Sequence, residues 1–240
     1  MYDYRGVFPT NESVPINPET GETYKTIRDG KTYYFQAGDP YWTDLNGDYI
    51  LDDRDRVIVG NAQPKVTGGL STFIQYKNIS LNVNTSYTLK RDVINAAMAG
   101  QMNSYGNPLF GDTRGQKNSA LLPMDGYDFW TNYGDNAFLP NPFDYSRNGG
   151  VKPFRPNQTL FLEDGSYWKI NSITLAYNFP RQWTSKYKIT SLRVYGTANN
   201  VYTFSKYTGP NPEGVTAMGY DRSDGYPTPK TYTVGLNVQF

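Results

Sequence analysis

A cluster of acidic side chains is the part of the sequence whose residue types and spacing could bind a metal ion. Residues 43–55 read TDLNGDYILDDRD, and their oxygen donors fall at positions 1, 3, 5, 9 and 12 of a calcium-binding loop, with a carbonyl at position 7. The donors are Asp44, Asn46, Asp48, Asp52 and Asp55, with the carbonyl of Ile50. Closely spaced carboxylates repel one another without a cation. The spacing therefore predicts a structural Ca²⁺ site.

Two features of this acidic loop favour another interpretation. Position 6 is Tyr49, where a calcium loop has Gly to make the turn, and position 12 is Asp55, which is shorter than the usual bidentate Glu. The flanking residues do not have a helical pattern. The alternative is a solvated Asp/Asn turn that side-chain to backbone hydrogen bonds stabilise. Both interpretations give the loop a structural role.

The composition removes most catalytic chemistry. The chain has no His and no Cys, which excludes Ser-His-Asp and Cys-His catalysis, the common zinc sites and disulfides. The adjacent acids Asp52–Asp53 and Glu163–Asp164 have no neighbours that would indicate a glycosidase site. A net charge of +1 without a basic tract gives no electrostatic basis for binding nucleic acid. We therefore expect a protein that is not an enzyme and has no nucleic-acid partner.

Aromatic residues are abundant, with 22 Tyr, 12 Phe and 4 Trp. Four of them, in the long connections, could face a substrate and stack on sugars: Tyr41, Trp42, Trp130 and Tyr133. The alternative is that these rings pack the connecting segments together.

Strict two-residue alternation defines the elements that must position these segments. The C-terminal residues TYTVGLNVQF place Tyr232, Val234, Leu236, Val238 and Phe240 on one face and small or polar residues on the other. The same period recurs along the chain and predicts five strands, at about 66–77, 79–90, 166–179, 190–204 and 230–240. In the third strand the phase breaks at Asn171–Ser172, which predicts a β-bulge.

The polar faces of these strands carry Asn, Ser and Thr where a soluble sheet usually has Lys and Glu. Small uncharged polar groups suit a hydrated interior, and the apolar faces would then contact lipid. The alternative is an antiparallel sheet on a soluble core, which produces the same alternation. We interpret the pattern as the wall of a transmembrane β-barrel.

The connections between the strands differ strongly in length. The turn at 77–78 is tight and 180–189 is short, whereas 1–65, 91–165 and 205–229 are long. Short turns on one side and long loops on the other are typical of outer-membrane barrels. Loops this long argue against a soluble domain.

Five segments together resemble the C-terminal end of a SusC/RagA-type TonB-dependent outer-membrane transporter. They are YDYRGVF at 2–8, the stretch 38–70, FLEDGSYWKINSITLAYNFP at 161–180, the stretch 191–213 and GYPTPKTYTVGLNVQF at 225–240. The hallmarks are the Asp-Asn-Gly-Asp loop followed by Asp-Arg and Gly-Asn-x-x-Pro-Lys, and the closing Pro-x-Pro-x-x-Tyr-x-x-Gly-Leu. Tyr49 departs from the family, which usually has Gly there, and this weakens the metal assignment.

The resemblance implies a barrel of about 22 antiparallel strands with an N-terminal plug, located in the outer membrane. It implies import of glycan fragments or peptides, a SusD-like lipoprotein as lid, and the TonB complex as the driving partner. On this plan 1–65 is an extracellular loop region and 66–240 holds the last barrel strands, with the long connections outward and the short turns in the periplasm. The alternating residues that end at Phe240 would be the barrel-assembly signal.

Barrel closure gives a further expectation. Even the smallest barrels need about eight strands, and an open edge in lipid leaves backbone groups unpaired at a cost of several kcal/mol each. Five strands are therefore incomplete on their own, and we expect the chain to be the C-terminal piece of a larger transporter. The first ten residues have no signal-peptide pattern, so we expect the export signal elsewhere on the polypeptide.

The main alternative function is a soluble, calcium-stabilised carbohydrate-binding β-sandwich. Sandwich turns usually recur every ~8–12 residues, and the long connections fit that spacing poorly.

Overall fold

The computed structural model describes residues 1–105, 125–221 and 228–240. Its strands are β1 Tyr4–Val7, β2 Lys25–Arg28, β3 Lys31–Tyr34, β4 Pro40–Trp42, β5 Ile50–Leu51, β6 Val66–Tyr76, β7 Ile79–Leu89, β8 Asp92–Asn95, β9 Leu162–Asp164, β10 Tyr167–Asn178, β11 Ser191–Ser205, β12 Tyr220–Asp221 and β13 Thr231–Gln239. The α-helices are α1 Ala96–Tyr105, α2 Tyr145–Asn148 and α3 Arg181–Thr184. Within these described ranges, no helix is long and apolar enough to cross a membrane.

The chain divides into two compact units. Unit 1 holds the described residues of Met1–Gly60, Ile94–Leu162 and Tyr220–Arg222, and unit 2 holds those of Asn61–Val93, Glu163–Gly219 and Ser223–Phe240. Parts of the long connections predicted from the sequence, at 106–124 and 222–227, lie outside the described residues.

Unit 2 is built on a five-stranded sheet in the order β13-β11-β10-β7-β6, and its neighbouring strands are antiparallel. These are the five strands that the alternation predicts, and each boundary agrees within one or two residues. The strands β6 and β7 are joined by the predicted tight turn at 77–78, since Tyr76 lies opposite Ile79. The short connection at 180–189 contains α3 and a 3-10 turn, Ser185–Tyr187.

The predicted β-bulge lies in β10. Its register shifts between Ile170 and Ser172 in the ladders with both β7 and β11. The extra residue keeps one face continuous: Trp168 lies opposite Tyr87 before the bulge, and Leu175 lies opposite Leu81 after it. The apolar residues of β10 therefore stay on the same side as those of β7.

Unit 1 shows that the predicted loop region 1–65 is largely folded. Strand β1 pairs with β4, and β2 pairs with β3 and, in parallel, with β5. Its larger buried cluster consists of Tyr2, Tyr4, Phe8, Val14, Tyr24, Phe35, Trp42, Leu51 and Val151. A second cluster consists of Ile94, Ala99, Met102, Leu139, Phe154 and Phe161. The many aromatic residues of the connecting segments supply this core, because each large ring removes much apolar surface from water.

Candidate functional site

The acidic loop begins with a turn that its own side chains close. Asp44 accepts the backbone N–H groups of Gly47 and Tyr49, both at 2.8 Å. Asn46 accepts the N–H of Asp48 at 3.0 Å. Tyr49 has a φ of 62°, in the left-handed region that usually favours Gly, and its hydrogen bond to Asp44 holds that conformation.

The loop supplies a positive charge of its own, the side chain of Arg54, to two of its carboxylates. The Arg54 guanidinium lies 2.6 Å from Asp48 and 2.8 Å from Asp52. Asp52 also accepts the backbone N–H of Arg54 at 2.8 Å and so caps the 3-10 turn Asp53–Asp55. These contacts lower the pKa of Asp52, first through the Arg54 side chain and then through its backbone N–H.

Asp55 anchors the loop from inside. Its side chain is fully buried and accepts the N–H of Leu45 at 3.0 Å and that of Asp52 at 2.8 Å. Burial raises the pKa of Asp55 in spite of these two hydrogen bonds. Ile50 belongs to β5 and lies opposite Lys25 of β2, so the sheet fixes this end of the loop.

This arrangement does not fit a calcium cage. Within residues 1–105, 125–221 and 228–240, no group of three or more acidic side chains converges to hold a metal ion. The carboxylates of Asp44 and Asp55 are used by backbone N–H groups, and Arg54 supplies positive charge to the other two. The structure therefore favours the second interpretation from the sequence, a turn stabilised by its own hydrogen bonds. Calcium binding by this loop stays a prediction.

Trp42, predicted as a substrate-facing aromatic, is a core residue. Its ring is 0 % exposed, and its indole N–H donates to Oε1 of Gln158 at 2.7 Å. The prediction is wrong for this residue because Phe35 and Tyr2 pack their rings against it, with centroids 6.0 Å away. No local sequence pattern indicates the partner Gln158, which is 116 residues away.

The other three predicted aromatics are partly accessible. Tyr133 is 57 % exposed and donates its hydroxyl to Glu12 at 2.6 Å, while Tyr41 is 40 % exposed. Trp130 is half-buried and lies against Gly38, where an added methyl group would come within 2.8 Å of the ring. Of these rings, Tyr41 and Tyr133 offer the most accessible surface.

A buried ion pair that sequence reasoning missed holds part of unit 1. Asp39 is 1 % exposed and accepts from Arg147, whose Nε lies 2.8 Å from Oδ1 while the Nη2 group contacts Oδ2. Arg147 also donates to the carbonyl oxygen of Tyr34 at 2.7 Å. Burial raises the pKa of Asp39, and the Arg147 contact partly opposes that effect.

One face of the unit 2 sheet is apolar and open. Its side chains remain exposed at Leu175 by 55 %, Leu236 by 61 % and Val234 by 83 %. The same face has these further exposed apolar or aromatic residues: Val66, Leu70, Ile74, Tyr76, Ile79, Leu89, Tyr202, Tyr232, Val238 and Phe240. This observation overturns the β-sandwich alternative, because the apolar face of a sandwich sheet is packed in a core.

Aromatic rings border this apolar face at both ends. One group contains Trp168, stacked on Phe204 with centroids 5.6 Å apart, and Tyr202. The other group contains Tyr177 and Phe179, with centroids 4.9 Å apart, near the 77–78 turn. Aromatic residues at the two ends of an apolar band are typical of proteins that sit in a bilayer.

The opposite face of the sheet carries a polar network. Asn84 accepts from Ser71 at 2.6 Å and donates to Ser172 at 2.9 Å, which links three strands. Lys169, largely buried on this face, forms an ion pair with Glu213. Hydrogen-bonded neutral side chains can face water or polypeptide without a charged surface, as expected of a hydrated interior.

Both outer strands of the sheet are open. Among the described residues, β6 pairs only with β7 and β13 only with β11. The predicted barrel-assembly residues lie on β13 and directly after it, and all are exposed, from Val238 at 39 % to Phe240 at 86 %. The structure therefore places these residues where neighbouring polypeptide or lipid can reach them.

Comparisons with known proteins show which proteins this chain is similar to. No family model matches the chain. The chain is 26 % identical over 249 residues to TonB-dependent receptor P3 of Formosa agariphila, across all of this chain and 22 % of the relative. It is 28 % identical over 211 residues to TonB-dependent receptor SusC of Bacteroides thetaiotaomicron, across 86 % of this chain and 18 % of the relative.

A solved structure has the same fold. The closed-closed state of the RagAB peptide importer superposes on the whole chain with a TM-score of 0.59, at 20 % identity and over 22 % of that protein. The chain thus spans about a fifth of the length of the relatives it matches. These matches confirm the predicted resemblance to SusC/RagA-type TonB-dependent receptors, the all-β barrel class and the outer-membrane location.

Proposed function

We propose that this chain forms part of the wall and the outer loops of an outer-membrane importer of large nutrients. The observation that carries the proposal is the unit 2 sheet, with an exposed apolar face opposite a hydrogen-bonded polar face. Lipid on one side and a hydrated lumen on the other account for both faces. In water, the same apolar surface would cost about 25 cal/mol for each Å² left exposed.

The height of the apolar band agrees with a bilayer. Trp168 and Tyr177 border it on β10, and their partners on β7, Tyr87 and Ile79, are eight residues apart because the bulge lies in β10. At ~3.3 Å per residue this is about 26 Å along the strand. A strand tilt of ~40° reduces the height to about 20 Å, comparable with the ~25 Å apolar band of outer-membrane barrels.

The open strands β6 and β13 support a partner that completes the sheet. We assign this role to the N-terminal portion of the transporter, which would supply the remaining barrel strands and the plug. A SusD-like surface lipoprotein as lid and the TonB complex as energy source follow from the resemblance. Affinity purification from outer membranes through a tag on this polypeptide, followed by mass spectrometry, tests for the lipoprotein.

For the substrate we propose glycan fragments or peptides, because these are large enough to need a barrel of this class. Tyr41 and Tyr133 are the exposed rings that could contact such a substrate. Uptake of labelled oligosaccharides and oligopeptides by cells that carry Tyr133→Ala, compared with Phe143→Ala as an exposed control, would distinguish the two classes of substrate.

Spin labels on two adjacent residues of β13 can test which face of the sheet contacts lipid. The chain has no Cys, so single cysteines introduced into it can be labelled selectively within the chain. In Val234→Cys we expect a spin label to respond to oxygen dissolved in lipid, because Val234 lies on the apolar face. In Thr233→Cys the label should respond to a water-soluble nickel chelate. Equal access of the nickel chelate to both positions, in transporter reconstituted into vesicles, would contradict the proposal.

A further inference from the structure

An open cleft of about 410 Å³ in unit 1 is lined by more positive than negative charge. Four arginines and two aspartates contribute to its wall: Arg28, Arg54, Arg56, Arg155, Asp52 and Asp53. The lining has a formal surplus of two positive charges. Like charges around one cleft repel each other, so a bound anion would lower the free energy of this arrangement.

Two of the arginines are already neutralised. Arg54 is paired with Asp48 and Asp52. Arg56 lies 2.6 Å from Asp53. These pairs use the acidic groups of the cleft and leave its surplus charge on the other two arginines.

Arg28 and Arg155 have no carboxylate partner among the residues that the structure describes. Arg28 donates to the carbonyl oxygen of Gly150 at 3.2 Å. Arg155 donates to the carbonyl oxygens of Val151 and, at 3.4 Å, Lys152. Carbonyl groups orient a guanidinium but do not neutralise its charge.

Aromatic rings hold Arg155 in place. Its guanidinium carbon lies 4.6 Å from the ring centroid of Trp42 and 4.8 Å from that of Tyr2. Burial, and to a smaller extent the charges of Arg28 and Arg56, lower the pKa of Arg155 to about 10. The side chain is therefore charged at neutral pH, in a position where its charge is disfavoured.

We propose that this cleft binds an oxyanion group with two negative charges, of the sulfate or phosphate type. The planar guanidinium has five N–H donors and pairs with such oxygens in a bidentate way. A dianion can pair with both Arg28 and Arg155, whereas a single carboxylate would leave one of these two arginines without an anionic partner. The proposal does not depend on transport, since binding can be measured on the purified protein.

The test is calorimetric titration of the complete purified transporter with sodium sulfate at constant ionic strength, which separates binding from screening. We expect saturable binding that Arg28→Gln weakens at least tenfold. The control is Arg5→Gln, because Arg5 is an exposed arginine of unit 1, paired with Asp3 at 2.7 Å and outside the cleft. The control should stay within twofold of the unmodified protein.

Further ligands and a second variant identify the anion and guard against misfolding. Inorganic phosphate at pH 8 should bind like sulfate, while acetate and methyl sulfate, each with one charge, should bind at least tenfold more weakly. Arg155→Lys keeps the charge but loses the planar guanidinium that can donate two hydrogen bonds to one anion. It should therefore also weaken sulfate binding. Absence of saturation with sulfate, equal effects of Arg28→Gln and Arg5→Gln, or acetate binding as tight as sulfate would each overturn the proposal.

Discussion

Tyr195 lies across Gly235 on the neighbouring strand, so closely that a methyl group on Gly235 would come within 2.2 Å of the tyrosine ring. The opposite edge of the sheet repeats this arrangement, since a methyl group on Gly68 would lie 2.5 Å from the hydroxyl of Tyr87. Each outer strand thus has a glycine covered by a tyrosine of the next strand. A tyrosine ring packed over the glycine of a neighbouring strand supplies contacts that glycine lacks, and it helps to fix the register of the two strands.

We expect Gly235→Ala to destabilise the sheet, because the ring of Tyr195 must move away. Overpacking of this kind costs about 1–3 kcal/mol. Gly196→Ala is the matched control, since an added methyl group there meets no atom within 4 Å. Urea unfolding of the transporter in lipid vesicles, followed by loss of the compact gel band, measures both variants. Equal midpoints would refute the role of the Tyr195 contact.

A charge on the apolar face should be far more costly than one on the polar face. Leu236 lies on the apolar face of β13, opposite Val194, so Leu236→Arg would place a guanidinium on the surface that is proposed to contact lipid. The cost of such a charge depends on depth and reaches about 2–4 kcal/mol at the middle of the bilayer. Thr233→Arg, on the other face of β13 and opposite the uncharged Thr197, should be nearly neutral. The readout is the amount of folded transporter in the outer membrane, and the idea fails if both variants assemble alike.

The Asp39–Arg147 pair predicts a pH-dependent stability of unit 1. Arg147→Met would leave the buried carboxylate without its partner, at a cost of about 3–5 kcal/mol near neutral pH. Because burial raises the pKa of Asp39, the folded state binds a proton more tightly than the unfolded chain. The contribution of Asp39 to stability therefore falls as pH rises through the raised pKa, and part of it returns when pH is lowered.

This pH effect can be measured by hydrogen exchange of peptides from residues 1–60 in the assembled transporter. In Arg147→Met we expect faster exchange at pH 7.5 and partial recovery at pH 5. The double variant Asp39→Asn with Arg147→Met serves as control and should lose the recovery. An identical pH profile for the single and double variants would exclude Asp39 as the titrating group.

The acidic loop should depend on Arg54 more than on calcium. Arg54→Gln removes the positive charge beside Asp48 and Asp52, so we expect faster hydrogen exchange across residues 44–55, most clearly at low salt. Excess chelator should leave the unmodified loop unchanged. If the chelator, and not Arg54→Gln, loosened the loop, the calcium prediction from the sequence would be preferred.

Phe240 tests the predicted barrel-assembly signal. The side chain is 86 % exposed, so Phe240→Ala removes little packing within the chain. A signal role predicts less folded transporter in the outer membrane and more in the periplasm, with no change in the unfolding midpoint of the part that assembles. Gln239→Ala is the neighbouring control. Normal assembly of Phe240→Ala would exclude the role.

Sequence patterns were sufficient for the barrel strands. Alternation has a period of two and is local, so β13 and β7 can each be read within a dozen residues. The bulge at Asn171–Ser172 was readable for the same reason, as a break in phase. The resemblance extended this local pattern to the TonB-dependent receptors, and the comparisons confirmed that resemblance.

The core of unit 1 was not readable, because its contacts join residues far apart in the chain. Trp42 looked like a binding aromatic, and only its hydrogen bond to Gln158 and the rings around it show that it is buried. Likewise, Arg28 and Arg155 meet around one cleft although 127 positions separate them in the sequence.

The sequence by itself therefore determined which side chains lie on the apolar face of the sheet and which on the polar face, since that choice depends on the parity of each position along a strand. Only the tertiary structure decided whether the acidic loop is closed by Arg54, and which rings and arginines converge in unit 1. The physical reason is that burial and charge pairing depend on distances in space, which no local period records.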